Sequence, residues 1–342
     1  MAVEFRNVQK VSRFLDPRQD FAETKTASEI RFDPLTGRTG RVAHFALPPL
    51  TPPDLEEMAR LSLERGCPFC PDLLEKVTPM FPSDLIPEGR LHRGEATVIP
   101  NLSPYDEHSA LTVMSRQHLV RLPDFTLALL TDAFSLSLEY FHRVYQGPPS
   151  FPLINWNYFP PSGGSQLHPH LQLFATDTPG NLLLAEIQAS ERYYREEGRN
   201  FWEELVVAEK AEGKRYLGQT GEVSWMVSYV PIGILGDVVA VFPQRSTLAE
   251  LTPGDLEAFS DGLTRVFRYF HDQGMYSFNL AFYPGRPGEA DRFWVHARTV
   301  PRFSVQPVLH ASDVNTLQYL YDEPVTMIWP EAMAAGLKPY FA

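Results

Sequence analysis

One succession of motifs occurs twice in this sequence. Val113-Met114-Ser115-Arg116-Gln117-His118 is followed by a helical pattern, then Asn155-Trp156-Asn157-Tyr158-Phe159-Pro160, then His168-Pro169-His170. Further on, Val241-Phe242-Pro243-Gln244-Arg245-Ser246 is followed by a helical pattern, then Asn279-Leu280-Ala281-Phe282-Tyr283-Pro284, then His296-Ala297-Arg298. The same distance of 50 residues separates His118 from His168 (168 − 118) and Ser246 from His296 (296 − 246). Such a chain is expected to fold as two copies of one α+β unit, and 342 residues leave room for two domains. The copies diverge where chemistry would sit: Ser246 stands for His118, and Arg298 for His170.

The patterning fills in the unit. Residues 124–144 place Phe125, Leu127, Leu129, Leu130, Phe134, Leu138 and Phe141 at helical rather than alternating spacing. Residues 252–271 read as a helix capped by Thr252, with Pro253 in its first turn. Residues 180–210 read as one long helix and 55–65 as a short one. Apolar and β-branched runs predict strands at 96–100, 109–114, 153–159, 171–175, 223–230, 238–242, 277–283 and 293–297. Residues 1–66, with the turn Asp33-Pro34-Leu35-Thr36-Gly37, read as an irregular leading segment packed on the core. The expected domains are 67–212 and 213–342.

A formal net charge of −12 argues against broad nucleic-acid binding, which needs a basic surface. It leaves room for a small anion held by a few local donors. The N-terminal sequence has no apolar leader, and no run approaches the roughly 20 apolar residues that span a bilayer. A cytoplasmic protein is expected. The two cysteines stand together as Cys67-Pro68-Phe69-Cys70, too close to staple much chain as a disulfide. Metal binding, redox chemistry and plain core thiols remain open, although the βαβ setting of a redox pair is absent.

The densest segment is Gly163-Gly164-Ser165-Gln166-Leu167-His168-Pro169-His170-Leu171-Gln172. On a strand, side chains at i and i+2 share a face, so His168, His170 and Gln172 can point into one site. Gly163, Gly164 and Ser165 can bring backbone N–H groups and a hydroxyl near an anion.

Together with the 33–37 turn, Cys67-Pro68-Phe69-Cys70, His118, Glu186 and the doubled unit, this segment resembles the histidine-triad superfamily. Within it, the order of motifs is similar to the galactose-1-phosphate uridylyltransferase family of carbohydrate metabolism. The resemblance implies two tandem histidine-triad-like domains, each an antiparallel sheet with packed helices, the second lacking the nucleophile. It implies a nucleotidyltransferase that moves UMP from a nucleotide sugar to a sugar-1-phosphate through a covalent nucleotidyl-His170. Gln172 and Ser165 then contact phosphoryl oxygens, Asn157 lies beside the nucleotide phosphates and Asn101 near the ribose. The carbonyl of His168 would hold the idle nitrogen of His170. Cys67, Cys70, His118 and His168 match structural zinc ligands, and the family implies a homodimer.

The chain departs from that pattern in places. Glu186 and His296 match a second metal site, but Asn279 and Arg298 stand where histidines are expected, and an Arg298–Glu186 ion pair is the favoured reading. The family's phosphate- and hexose-contacting arginines are missing from 42–48, and its hexose-contacting glutamine from Leu320-Tyr321-Asp322-Glu323-Pro324. A phosphorylase using inorganic phosphate, or a silent nucleotide-binding protein, are the alternatives.

Overall fold

The computed structural model describes residues 3–43, 49–144, 151–306 and 311–342. His44, His310 and most of the 42–48 departure lie outside them. The leading segment, expected to be irregular, carries a sheet. β1 (Asn7–Asp16) and β2 (Ala22–Phe32) form a ten-pair antiparallel hairpin, and β2 pairs with β3 (Thr39–Ala43). Nearly all of β1 is exposed, so its side chains show no apolar alternation; the backbone ladder alone makes it a strand. α1 (Leu55–Glu64) and α2 (Pro71–Val77) follow.

The next five strands are β4 (Leu91–Arg93), β5 (Ala96–Pro100), β6 (His108–Val113), β7 (Phe151–Tyr158) and β8 (His170–Thr176), with α3 (Leu127–Val144) between β6 and β7. The expected helix at 180–210 is two, α4 (Asn181–Glu197) and α5 (Phe201–Glu212). Gly198 breaks it at φ +68°, and Asn200 caps the second piece. Then come β9 (Tyr216–Thr220), β10 (Val223–Val227), β11 (Val238–Val241), α6 (Pro253–Asp272), β12 (Ser277–Tyr283) and β13 (His296–Arg302). The last of these begins later than the expected 293. The chain ends with a small hairpin, β14 (Ser304–Gln306) and β15 (Ala311–Ser312), then α7 (Thr316–Leu320), β16 (Val325–Thr326) and α8 (Pro330–Phe341); β16 pairs parallel to β3.

Ten of these strands make one antiparallel sheet, ordered β4-β5-β6-β8-β7-β12-β13-β11-β10-β9. Read from each edge inward, the two halves have the same order, with a helix inserted before the fourth strand of each. The repeat therefore closes about an approximate twofold axis at the β7–β12 seam, where Asn157 faces Asn279 and Trp156 faces Leu280.

Alternation sorts the two faces. Ile154, Trp156, Tyr158, Leu171, Leu173, Phe278, Leu280 and Phe282 enter the main core beneath α3, α6 and α8. α6 is set by a capping box between Thr252 and Asp255. On the opposite face, Phe69 of the Cys67–Cys70 loop packs on Ile99, Leu111 and Val113 at one end. α4 and α5 cover Met226, Val239 and Val241 at the other. The uncovered middle is a trough whose half-buried floor includes Gln172, Asn155, Asn157, Asn279, Ala281, Val300 and Arg302. Among the described residues, no helix is long and apolar enough to cross a membrane.

Trp156 is fully buried at the seam and packs edge-on to Phe125, Phe267 and Phe278. Trp156→Ala is expected to cost about 3–5 kcal/mol. Because the seam joins both halves, they should unfold in one transition, read by urea denaturation with far-UV and fluorescence probes. Separate transitions would contradict this packing.

Candidate functional site

The Cys67–Cys70 loop is a tight turn. The Cys70 N–H reaches the Cys67 carbonyl at 3.3 Å, and Cys70 is the N-cap of α2, with Pro71 in the first turn. His118 lies in the loop after β6, and His168 just before β8. The Nδ1 of His168 is 3.7 Å from the Cys67 sulfur and 3.8 Å from the Cys70 sulfur; the Nδ1 of His118 is 3.5 Å from Cys70. One ligand atom from each of the four lies within 4.8 Å of the other three. A tetrahedral ion about 2.3 Å from sulfur and about 2.0 Å from nitrogen sets an S···N edge of roughly 3.5 Å, so the donor set matches such an ion in type and size.

The histidine protonation states fit this use. The Nε2 of His168 is 2.7 Å from the Ser115 carbonyl, which only accepts, so Nε2 carries the proton and Nδ1 offers its lone pair to the cluster. Burial drives the His168 imidazole down to about 4, against the opposing pull of that carbonyl. Burial also lowers His118, and burial together with the neighbouring Cys67 pushes the Cys70 thiol up to about 12. The cluster can bind a metal such as zinc, which would turn the thiols into thiolates.

His170 opens β8, opposite Val113. Its Nδ1 is 2.8 Å from the His168 carbonyl, so that nitrogen donates and Nε2 keeps a lone pair. Burial lowers its affinity for a proton, partly offset by the same carbonyl. The ring of Phe69 lies 5.1 Å from it, so the cysteine loop also packs against the imidazole. His168 and His170 thus hold opposite tautomers, each set by a backbone carbonyl.

Gln172 stands on the same face, and its Oε1 accepts from Asn157 Nδ2 at 3.3 Å. Asn101 is tied to β6 through the Ser109 carbonyl and accepts from the Ser103 N–H. Ser109 lies opposite Phe174, about 13 Å along β8 from His170. In the glycine turn, the N–H groups of Gly163 and Gly164 bond to the carbonyls of Pro160 and Phe159. Those two amides close the turn and are not aimed outward at an anion. A Cβ on Gly164 would meet the Asn157 carbonyl at 2.7 Å, so only glycine fits beside that strand. Exposed Ser165 follows.

The second half carries a different cluster. Glu186 accepts from His296 at 3.1 Å and pairs with Arg298 at 3.5 Å, the expected ion pair. Arg298 also meets Asp237 and Ser228. His296 is sandwiched between Trp202 and Tyr283, with ring centres 3.9 and 4.8 Å away. Burial pushes the Glu186 carboxyl up, but His296 and Arg298 outweigh it and hold the carboxyl below its usual range. Asn279 is elsewhere, bonded to Asn157 across the seam. Sequence reasoning missed Asp237, Ser228, Arg302 and Asp313, none of which carries a motif.

No protein-family model matches the chain. A curated protein of Archaeoglobus fulgidus, described as uncharacterized, is 28% identical over 340 residues, 98% of each chain. A galactose-1-phosphate uridylyltransferase of Neurospora crassa is 26% identical over 188 residues, 52% of this chain and 46% of that protein. Among solved structures, an ADP-glucose phosphorylase from Arabidopsis thaliana superposes with a TM-score of 0.68 at 15% identity, covering 91% of this chain and 98% of that one. A uridylyltransferase superposes with 0.65 at 19% identity, over the same shares. The chain thus shares the fold of these two structures, and about half of its sequence matches a galactose-1-phosphate uridylyltransferase.

Proposed function

We propose that the protein transfers a nucleoside monophosphate from a nucleotide sugar through His170. The observation that carries this reading is the His170 imidazole itself, buried on the trough floor with Nδ1 donating to the His168 carbonyl and Nε2 left as a lone pair. In this reading Nε2 attacks the α-phosphorus, the P–N bond forms as the bridging P–O bond breaks, and a sugar-1-phosphate leaves as an anion that needs no added proton. The Gln172 carboxamide donates to a phosphoryl oxygen as charge builds there. Asn157 and Ser165 sit beside the phosphates, and Asn101 meets the ribose at the Phe174 end. A phosphate-bearing acceptor then reverses the steps. UMP transfer to a hexose-1-phosphate is the first reading.

Transfer to inorganic phosphate is the second, and one observation favours it. The segment without the family's glutamine is tied into the fold. Arg38 bonds Asp322 at 2.6 Å, Thr39 donates to Glu323, and Arg41 pairs with Glu323. With Arg38 and Arg41 already paired to these acids, the segment offers a hexose neither the glutamine nor an unpaired cation of this group.

Zinc is the proposed metal at Cys67, Cys70, His118 and His168. With four protein ligands it has no open position, so its contribution would be structural: holding His168 fixes the carbonyl that orients His170. Elemental analysis should find one zinc per chain, lost in Cys67→Ser with Cys70→Ser. A folded, metal-free protein would remove this part of the reading.

A homodimer is also proposed, supported by exposed Val8, Val11, Phe14, Leu15 and Phe21 on the β1–β2 hairpin. Light scattering at working concentration should give about twice the mass of one chain.

Labelled UDP-sugars and ADP-glucose, each added without acceptor, test the nucleophile. The expected product is a nucleotidyl-protein adduct, stable in base and lost in mild acid. Adding orthophosphate or a hexose-1-phosphate then identifies the acceptor. His170→Gly should abolish the adduct and keep the zinc. An adduct that persists in that variant would exclude His170.

A further inference from the structure

A chain of side-chain hydrogen bonds crosses the seam from the second half to Gln172. Asp313 takes both Nε and Nη2 of Arg302, at 2.8 and 2.6 Å. Arg302 Nη1 donates to Asn279 Oδ1 at 2.6 Å. Asn279 Nδ2 donates to Asn157 Oδ1 at 2.6 Å and to the Ser162 carbonyl at 2.9 Å. Asn157 Nδ2 then donates to Gln172 Oε1.

The chemistry of its ends gives this chain a direction. A guanidinium only donates and a carbonyl only accepts, so Asn279 has one permitted orientation: oxygen toward Arg302, nitrogen toward Ser162 and Asn157. That orientation turns the Asn157 oxygen toward Asn279 and its nitrogen toward Gln172. Gln172 must then present oxygen to Asn157, which leaves both of its N–H donors for the trough. Without a fixed end, each amide can flip, and a flipped Gln172 would aim a carbonyl oxygen at an anion.

We propose that Arg302, held by Asp313, and Asn279 are positioning residues that set the donor face of Gln172 for the phosphoryl group. The half that lacks the nucleophile thereby polarises the half that carries it. The proposal rests on the reading of His170 and Gln172 given above.

Asn279→Asp is the decisive variant. Aspartate still accepts from Arg302 but has no N–H to give. Asn157 must turn its nitrogen toward it, and Gln172 then turns its own nitrogen toward Asn157. Adduct formation should slow about 100-fold, as on losing one transition-state donor, with the half-saturating donor concentration little changed. In a Gln172→Ala background the same substitution should cost less than about 2-fold, because the amide it acts through is gone. Arg302→Met should slow adduct formation and Arg302→Lys, which still donates, should restore it. A full loss from Asn279→Asp in the Gln172→Ala background would mean a bare charge effect and overturn the relay, as would wild-type rates in Asn279→Asp.

A second measurement needs no turnover. In 15N spectra of the unliganded protein, the side-chain amide protons of Asn157 and Asn279 should exchange slowly and those of Gln172 fast, with Gln172 becoming protected in Asn279→Asp. A wild-type protein that forms no adduct but shows this order refutes the functional reading and keeps the relay. Protected Gln172 protons in the wild type refute the relay whatever the protein transfers.

Discussion

The backbone pairing of β7 with β12 is the constraint on which the remaining structure depends. Four residue pairs, from Tyr158–Phe278 to Asn155–Ala281, turn two five-stranded units into one sheet. They place Trp156 and Phe278 in a common aromatic core and bring α3 against α6 beneath it. They also put Asn157 next to Asn279, so that a residue of one copy is in hydrogen-bond reach of the other. The hairpin, the cysteine–histidine cluster and the helical cover are all hung from this frame.

Divergence between the copies then has a physical logic. Gln172 and Val300 occupy equivalent places beside Asn155 and Asn279, and His170 and Arg298 likewise. In the first copy the strand start carries an uncharged imidazole at the trough. In the second it carries a permanent cation, sealed under α4 and α5 against Glu186 and Asp237. A buried guanidinium needs such partners, because an isolated charge there would cost several kcal/mol. The second copy thus carries a network of buried charges where the first carries an imidazole.

Much of this was legible in the primary sequence, for reasons that particular residues make clear. The helical spacing from Phe125 to Phe141 and the Thr252-Pro253 start are local signals, and α3 and α6 form close to where they point. The two-copy order survives because equal spacings need no contact to be seen. The four side chains expected to share a metal, Cys67, Cys70, His118 and His168, do come together in one cluster. The β1–β2 hairpin was hidden because exposed strands need no apolar alternation. The break at Gly198 was hidden inside a charged run that reads as helix on both sides. Arg302 and Asp313 were invisible for a different reason: neither belongs to a motif, and Arg302 reaches the seam only through Asn279, whose bond to Asn157 spans 122 residues that nothing in the local sequence brings together.

The shared sheet also fixes how the molecule can move. Two domains joined by a linker can close on a ligand like a jaw. Here any hinge between the halves would have to tear the ladder between β7 and β12, exposing Trp156 and the aromatic layer behind it. The trough is therefore a stiff bed. Its floor is already ordered, so a ligand settling there would lose little configurational entropy in shaping it and would have to enter and leave through the loops at its rim.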